Sequence, residues 1–120
     1  MKESIVQKKS FQFSLQIIAL YKKLQIENEF IISKQLLRCG TSIGANIEEA
    51  LAGQSKKDFA AKMAISSKEA RETKYWLRLL KESELTLLDV NSLILEIDEL
   101  IKILTSIVKT SQKNINDSKT

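Results

Sequence analysis

Proline and histidine are absent from this chain, cysteine occurs once (Cys39), and glycine occurs only three times, at Gly40, Gly44 and Gly53. Each shortage excludes something. With so few breakers the chain is barely punctuated, and its turns fall to other residues; long helices are the reading that needs fewest turns. One cysteine rules out an internal disulfide framework. Without histidine, four-ligand zinc sites and Ser/His or Cys/His catalytic sets are excluded within one chain. No apolar run approaches the roughly 20 residues of a membrane span, and Met1-Lys2-Glu3-Ser4 lacks the apolar stretch of a signal peptide. The expectation is a soluble, cytoplasmic protein with no membrane partner.

What remains is helical patterning. A chain of 120 residues suits one domain by the soft prior of about 100–200 residues and can bury a core without staples. Apolar residues recur at helical spacing in four segments, predicting helices over about 10–26, 33–52, 56–83 and 88–110. In the first, Phe13, Ile17, Leu20, Tyr21 and Leu24 share a face and Ser10 is the candidate N-cap, with Ser4 to Lys9 extending the helix or loose. The second has Ser33 as candidate N-cap, an Ile32–Leu37 staple, a stripe through Leu36, Gly40, Ile43, Ile47 and Ala50, and Gly53 as its stop. Ser55 with Asp58 resembles a capping box for the third, whose Phe59, Met63, Ser66, Ala70, Thr73, Leu77 and Leu80 align. A second apolar set, Ile65, Trp76 and Leu79, points elsewhere and suggests a central position or a subunit contact. The fourth starts at Thr86–Asp89 and carries a heptad seam of Val90, Leu93, Ile97, Leu100, Leu104 and Ile107, with the last ten residues expected to fray. Short connections between helices of similar length predict an all-α, antiparallel up-down four-helix bundle.

The most unusual stretch is Thr41-Ser42-Ile43-Gly44-Ala45-Asn46-Ile47-Glu48-Glu49, where small and polar residues interrupt a helix in which interior Gly costs about 1 kcal/mol relative to Ala. Ser42, Asn46 and Glu49 make a polar stripe at i, i+4, i+7, and Lys62, Ser66, Glu69 and Thr73 make a similar one on the third helix. Facing each other, they would form a partly buried structural network (Ser42, Asn46, Glu49, Glu69) that fixes the register of the second and third helices. Gly40 and Gly44 read as a close backbone approach, since a phosphate loop needs a Gly-rich turn after a strand. The pairs Glu69/Glu72 and Glu96/Glu99 lack the histidines of bundle di-metal sites, so no metal and no cofactor is implied. Cys39 reads as a small buried apolar residue.

Charge points outward. Residues 55–84 carry eight Lys/Arg against five acids, in a chain of net charge +4 and pI near 9.2. Lys56, Lys57, Lys62, Lys68, Arg71, Lys74 and Arg78 are the candidate nucleic-acid-binding residues, and Lys8, Lys9, Lys22 and Lys23 add a basic strip on the first helix. Such a balance suits contact with a phosphate backbone and equally a solvated helix surface.

Three blocks together carry a family resemblance: Ser42-Ile43-Gly44-Ala45-Asn46-Ile47-Glu48-Glu49-Ala50, Gln54-Ser55-Lys56-Lys57-Asp58-Phe59, and Lys68-Glu69-Ala70-Arg71-Glu72-Thr73-Lys74-Tyr75-Trp76-Leu77. The chain resembles, from about Ser10 to Lys109, the "four helix bundle protein" family, whose members are also called 23S rRNA intervening-sequence proteins. It departs at Glu49-Ala50, where many members have Glu-Gly. The resemblance implies an antiparallel four-helix bundle, a homo-oligomer that in relatives is a pentameric ring, and genomic association with insertions in ribosomal RNA genes. A related group serves as accessory proteins to reverse transcriptases of diversity-generating retroelements and binds nucleic acid through basic surfaces. No catalytic residues carry over, and none are assembled by the sequence. The expected function is therefore non-enzymatic association with RNA or DNA through basic helix surfaces. The alternative is an adaptor that binds another protein through Tyr75, Trp76 or the off-seam apolar residues.

Overall fold

The computed structural model describes residues 4–118, which form four helices: α1 (Ile5–Ile26), α2 (Ile32–Leu51), α3 (Lys56–Glu82) and α4 (Asn91–Ser118), with no strand among the described residues. Consecutive helices pack side by side and α4 closes back on α1. The α2–α3 seam is the most extensive and the α1–α4 seam the shortest. The result is an up-down bundle measuring 54 × 27 × 21 Å. One end holds the α1–α2 and α3–α4 connections. The other holds the α2–α3 connection, the start of α1 and the end of α4.

The core follows the sequence periodicity. Phe13, Ile17, Leu20 and Leu24 of α1 meet Leu36, Ile43 and Ile47 of α2, Met63, Ala70, Leu77 and Leu80 of α3, and Leu93, Ile97, Leu100 and Leu104 of α4. Fully burying each large side chain is worth about 1.5–3 kcal/mol, so these internal layers dominate the stability of the bundle.

The helix ends depart from sequence expectation in instructive ways. Helix α1 starts at Ile5, because Ser4 and Gln7 close a reciprocal capping box: Gln7 N donates to Ser4 Oγ (3.1 Å) and Ser4 N to Gln7 Oε1 (3.3 Å). Ser10, expected as the cap, is instead buried within the helix, its hydroxyl donating to the Gln7 carbonyl at 3.0 Å. Helix α2 is capped by a carboxylate from the preceding loop rather than by Ser33. Glu29 accepts the backbone N–H groups of Ile31, Ile32 and Ser33 at 3.2, 2.8 and 2.8 Å, placing negative charge at a helix N-terminus. Burial pushes the Glu29 carboxyl up, but these backbone donors, with the Ser33 hydroxyl, outweigh it and hold it below the usual carboxylate range. Ser33 faces inward, donating to the Glu29 carbonyl and accepting from Gln25 Nε2.

Only half of the α3 box forms, with Asp58 N donating to Ser55 Oγ at 3.0 Å. Before α4, Thr86 and Asp89 brace separate turns by accepting Leu88 N and Asn91 N. The helix itself continues to Ser118, with Ser111 packed inward; the stretch expected to fray runs on to 119–120, which lie outside the described residues.

Scarcity of glycine shows at two helix ends. Asn28 (φ 62°) and Glu84 (φ 56°) occupy the left-handed positions just beyond α1 and α3, with Glu29 N reaching back to the Leu24 carbonyl and Glu84 N to that of Lys81. Asn tolerates this region, whereas for Glu it costs about 1–2 kcal/mol. Gly53, expected to take such a conformation, does not. A Cβ there would lie 2.6 Å from Asp58 Oδ2, the end of an exposed side chain that can swing away, and 3.0 Å from the Ala50 carbonyl oxygen, so the site is tight.

Candidate nucleic-acid interface

The stretch from Thr41 to Glu49 serves two seams at once. Its glycines face α1: a Cβ on Gly40 would stand 2.9 Å from both Ile17 Cγ1 and Cγ2, and one on Gly44 would meet Ser10 Oγ at 3.4 Å. The other side faces α3, through some of the residues first expected and not through Ser42 or Asn46. Ser42 Oγ donates to the Arg38 carbonyl and Asn46 Nδ2 to the Ser42 carbonyl, so both close local bonds within α2. The expected cross-helix stripe therefore forms through its α3 members and Glu49, without Ser42 and Asn46. Ser66 Oγ donates to the Ile43 carbonyl at 2.8 Å and Thr73 Oγ1 to Cys39 Sγ at 3.2 Å, both buried. At the rim, Lys62 pairs with Glu49 (3.1 Å), and Arg38 pairs with Glu69 (3.4 Å) and with Glu72. Short hydroxyl side chains reach a neighbouring helix only from its facing side. Ser42 and Asn46 sit a step around the helix from that line, where their own backbone is the nearer partner.

These contacts account for several candidate groups. Glu72 also accepts the Trp76 indole N–H at 3.0 Å, and Trp76 is half-buried against the core with Tyr75 packed edge-on at 5.3 Å. Arg38 thus occupies the Glu69/Glu72 pair. Glu96 and Glu99 take Gln16 and Lys9 of α1. Among the described residues no three His, Cys, Asp or Glu side chains come together in a way that would hold a metal ion. Cys39 is buried, and burial above all pushes its thiol up, against a lowering bond from Thr73; the thiolate needed for nucleophilic chemistry is disfavoured there.

The basic residues of α3 divide by direction. At 3.6 residues per turn, Lys57, Lys68, Arg71, Tyr75 and Arg78 share one outward stripe of about 30 Å, and all are exposed. Lys62 and Lys74 leave that stripe for the flanking seams and are neutralised by Glu49 and Asp98, the latter at 2.7 Å. Lys56, at the α3 start, is exposed. Arg71 reaches Thr105 of α4 at 3.1 Å and Arg78 pairs with Glu82 at 3.2 Å.

Sequence reading missed half of this face. On α4, Lys102, Lys109 and Lys113 are exposed and share the outward stripe beside that of α3. Their i, i+7, i+11 spacing is the signal for it in the sequence, beside the much stronger apolar seam of the same helix. Lys57, Lys68, Lys102, Lys109 and Lys113 have no ion-pair partner among the described residues. Helices α3 and α4 together thus present a basic face with one aromatic side chain, Tyr75, 57 % exposed within it. Such a surface can neutralise phosphates along a backbone and offer one ring for stacking.

Comparison with known proteins agrees with this architecture. The family model of the 23S rRNA-intervening sequence protein matches residues 2–106. Among solved structures, a protein of unknown function from the S23 ribosomal protein family of Bacteroides thetaiotaomicron VPI-5482, solved at 1.70 Å resolution, superposes with a TM-score of 0.83. It is 48% identical, over 91% of this chain and 99% of that one. No curated protein matches.

Proposed function

We propose, from the premise that this chain belongs to the 23S rRNA-intervening sequence protein family, that it is a non-enzymatic protein binding structured RNA or RNA–DNA through the outer face of α3 and α4. The observation that carries this reading is the alignment of Lys57, Lys68, Arg71 and Arg78 with Lys102, Lys109 and Lys113 on adjoining outward stripes. Lys56 lies at the same end as Lys57 and extends the face, whereas Lys62 and Lys74 contribute little because their charge is already matched. In this reading the protein acts as a homo-oligomer, a pentamer as the family resemblance implies. Five copies of a +4 chain would carry +20, multiplying a modest monomer patch.

Assembly has its own support. A groove of about 310 Å³ between α1 and α2, lined by Phe11, Leu15, Ile18, Gly44 and Ala45 among others, is almost wholly apolar, and Phe11 and Leu15 are exposed on its rim. In this reading subunits meet along that groove, and Trp76, half-buried within its own bundle, is a weaker candidate for the contact.

Fluorescence anisotropy with a labelled RNA hairpin and an RNA–DNA hybrid, across a salt series, tests the binding. Log K should fall linearly with log salt, by roughly 0.7–0.9 per neutralised phosphate. The triple variant Lys68→Glu, Lys102→Glu, Lys109→Glu should lose at least tenfold in affinity at low salt while keeping its helical content. Absence of binding at low salt would overturn the proposal. The adaptor reading is favoured by exposed Tyr75; protein partners that stay bound after nuclease treatment and are lost with Tyr75→Ala would support it.

A further inference from the structure

The lysines of the α3–α4 face are not spread evenly along it. Arg71 reaches Thr105 at 3.1 Å and Lys74 pairs with Asp98 at 2.7 Å, which fixes the antiparallel register of the two helices. That register puts Lys109 and Lys113 between Lys57 and Lys68, and Lys102 level with the turn of Arg71. Lys57, Lys68, Lys102, Lys109 and Lys113 therefore occupy roughly 22 Å of the face, counted from Lys57 at about 1.5 Å per residue. Tyr75 lies beyond all five. Its neighbours along the stripe are Arg71 at i−4 and Arg78 at i+3, both exposed.

The face thus changes character along its length, from a field of lysines to a ring between two guanidinium groups. Tyr75 is 57 % exposed, yet its ring is held in place. It meets the Trp76 ring at 5.3 Å and 72°. Trp76 in turn donates its indole N–H to Glu72 at 3.0 Å, and Glu72 is paired with Arg38. A perpendicular contact covers one edge or one face of the Tyr75 ring and leaves the other face open. A ring anchored in this way needs little ordering on binding. Arg71 and Arg78 are engaged by a threonine hydroxyl and by the exposed Glu82 carboxylate. Exposed contacts of this kind are weak, and the guanidinium fork is suited to exchanging them for phosphate.

The two parts of the face suit two states of a nucleic acid. Paired bases are stacked on one another and present backbone and edges, so a duplex can use the lysines and not the ring. An unpaired base offers its flat face to an aromatic side chain. We infer, resting on the reading that this face binds RNA, that it recognises a junction between duplex and single strand. The stem lies along the five lysines, the first unpaired base stacks on Tyr75, and Arg71 and Arg78 hold the phosphates on either side of it.

Two fluorescein-labelled RNAs test this by anisotropy at physiological salt: a blunt duplex, and the same duplex with a short unpaired adenosine extension. The extended RNA should bind at least fivefold more tightly, an effect within the range of base–aromatic stacking. Removing the first base of the extension, with its backbone left intact, should abolish that advantage with no change to the protein. Tyr75→Ala should bring the two RNAs to within twofold of each other, while Tyr75→Phe keeps the preference. The triple variant Lys68→Glu, Lys102→Glu, Lys109→Glu should weaken both RNAs together. Because Tyr75 is exposed, an unchanged circular dichroism spectrum is expected and is the control for folding. Equal binding of blunt and extended RNA would overturn the inference, as would a preference that survives Tyr75→Ala or removal of the base. Binding of neither RNA would instead overturn the reading of the face itself.

Discussion

The two sides of α2 solve the same problem, approach to a neighbouring helix, by opposite chemistry. Toward α1 the solution is removal of atoms: Gly40 lets Ile17 sit where a Cβ would be. Toward α3 it is addition of hydrogen bonds, with Ser66 and Thr73 reaching across to the Ile43 carbonyl and Cys39. Small residues set distance, because a methyl group of overlap is costly in a close-packed interior. Hydroxyls set register, because a buried donor displaced along the helix loses its partner. One helix therefore fixes spacing on one side and axial alignment on the other.

Substitutions separate the two mechanisms. The largest effect is expected at Gly40: Gly40→Ala forces its methyl group into Ile17 and should destabilise the protein by about 1–3 kcal/mol in urea denaturation, despite better helix propensity. Combined with Ile17→Ala, which removes both γ carbons, it should cost less than the sum of the two single substitutions; strict additivity would mean that the contact is not what constrains the glycine.

Next comes the start of α2. Glu29→Gln should cost about 1 kcal/mol near neutral pH, through weaker acceptance of three backbone N–H groups. Because the Glu29 carboxyl lies below its ordinary range in the folded state, its contribution is present above the ordinary glutamate range and is lost as pH falls through the folded-state value. Thermal melts of the two proteins should therefore converge on acidification. A difference that is constant with pH would show that charge at the helix terminus is not the cause.

On the α3 side, Ser66→Ala should cost about 0.5–1.5 kcal/mol. The Ile43 carbonyl can still accept its helical bond, so no acceptor is orphaned. The smallest effect, opposite in sign, belongs to Gly44. Its Cβ would meet Ser10 at an ordinary contact distance, so Gly44→Ala should stabilise the monomer fold by up to about 1 kcal/mol. If Gly44→Ala and Gly40→Ala destabilise equally, the whole small-residue stripe is a close approach rather than Gly40 alone.

Much of this was legible without coordinates. Four helices, their antiparallel order and nearly every core position followed from spacing, because a 3.6-residue period and short connections leave few alternatives. Helix starts were less legible. Ser4 and Gln7 fit the capping pattern as well as Ser10 fits a cap, and the Glu29 cap has a carboxylate reaching forward from a loop, which no local pattern announces. The candidate interface was half legible: a run of lysines and arginines in α3 shows charge, but which of them faces outward depends on where α2 and α4 place Glu49 and Asp98.

The sequence by itself determined the class of fold, the family and the absence of histidine-based chemistry, since these rest on composition and on periods that any packing must respect. Tertiary structure alone decided which side of α2 each small or polar residue serves. It also decided which cations lack an ion pair among the described residues, and that the exposed apolar residues of two distant connections share one end of the bundle. Those outcomes depend on neighbours many positions away in the chain, and only the closed bundle brings them within contact distance.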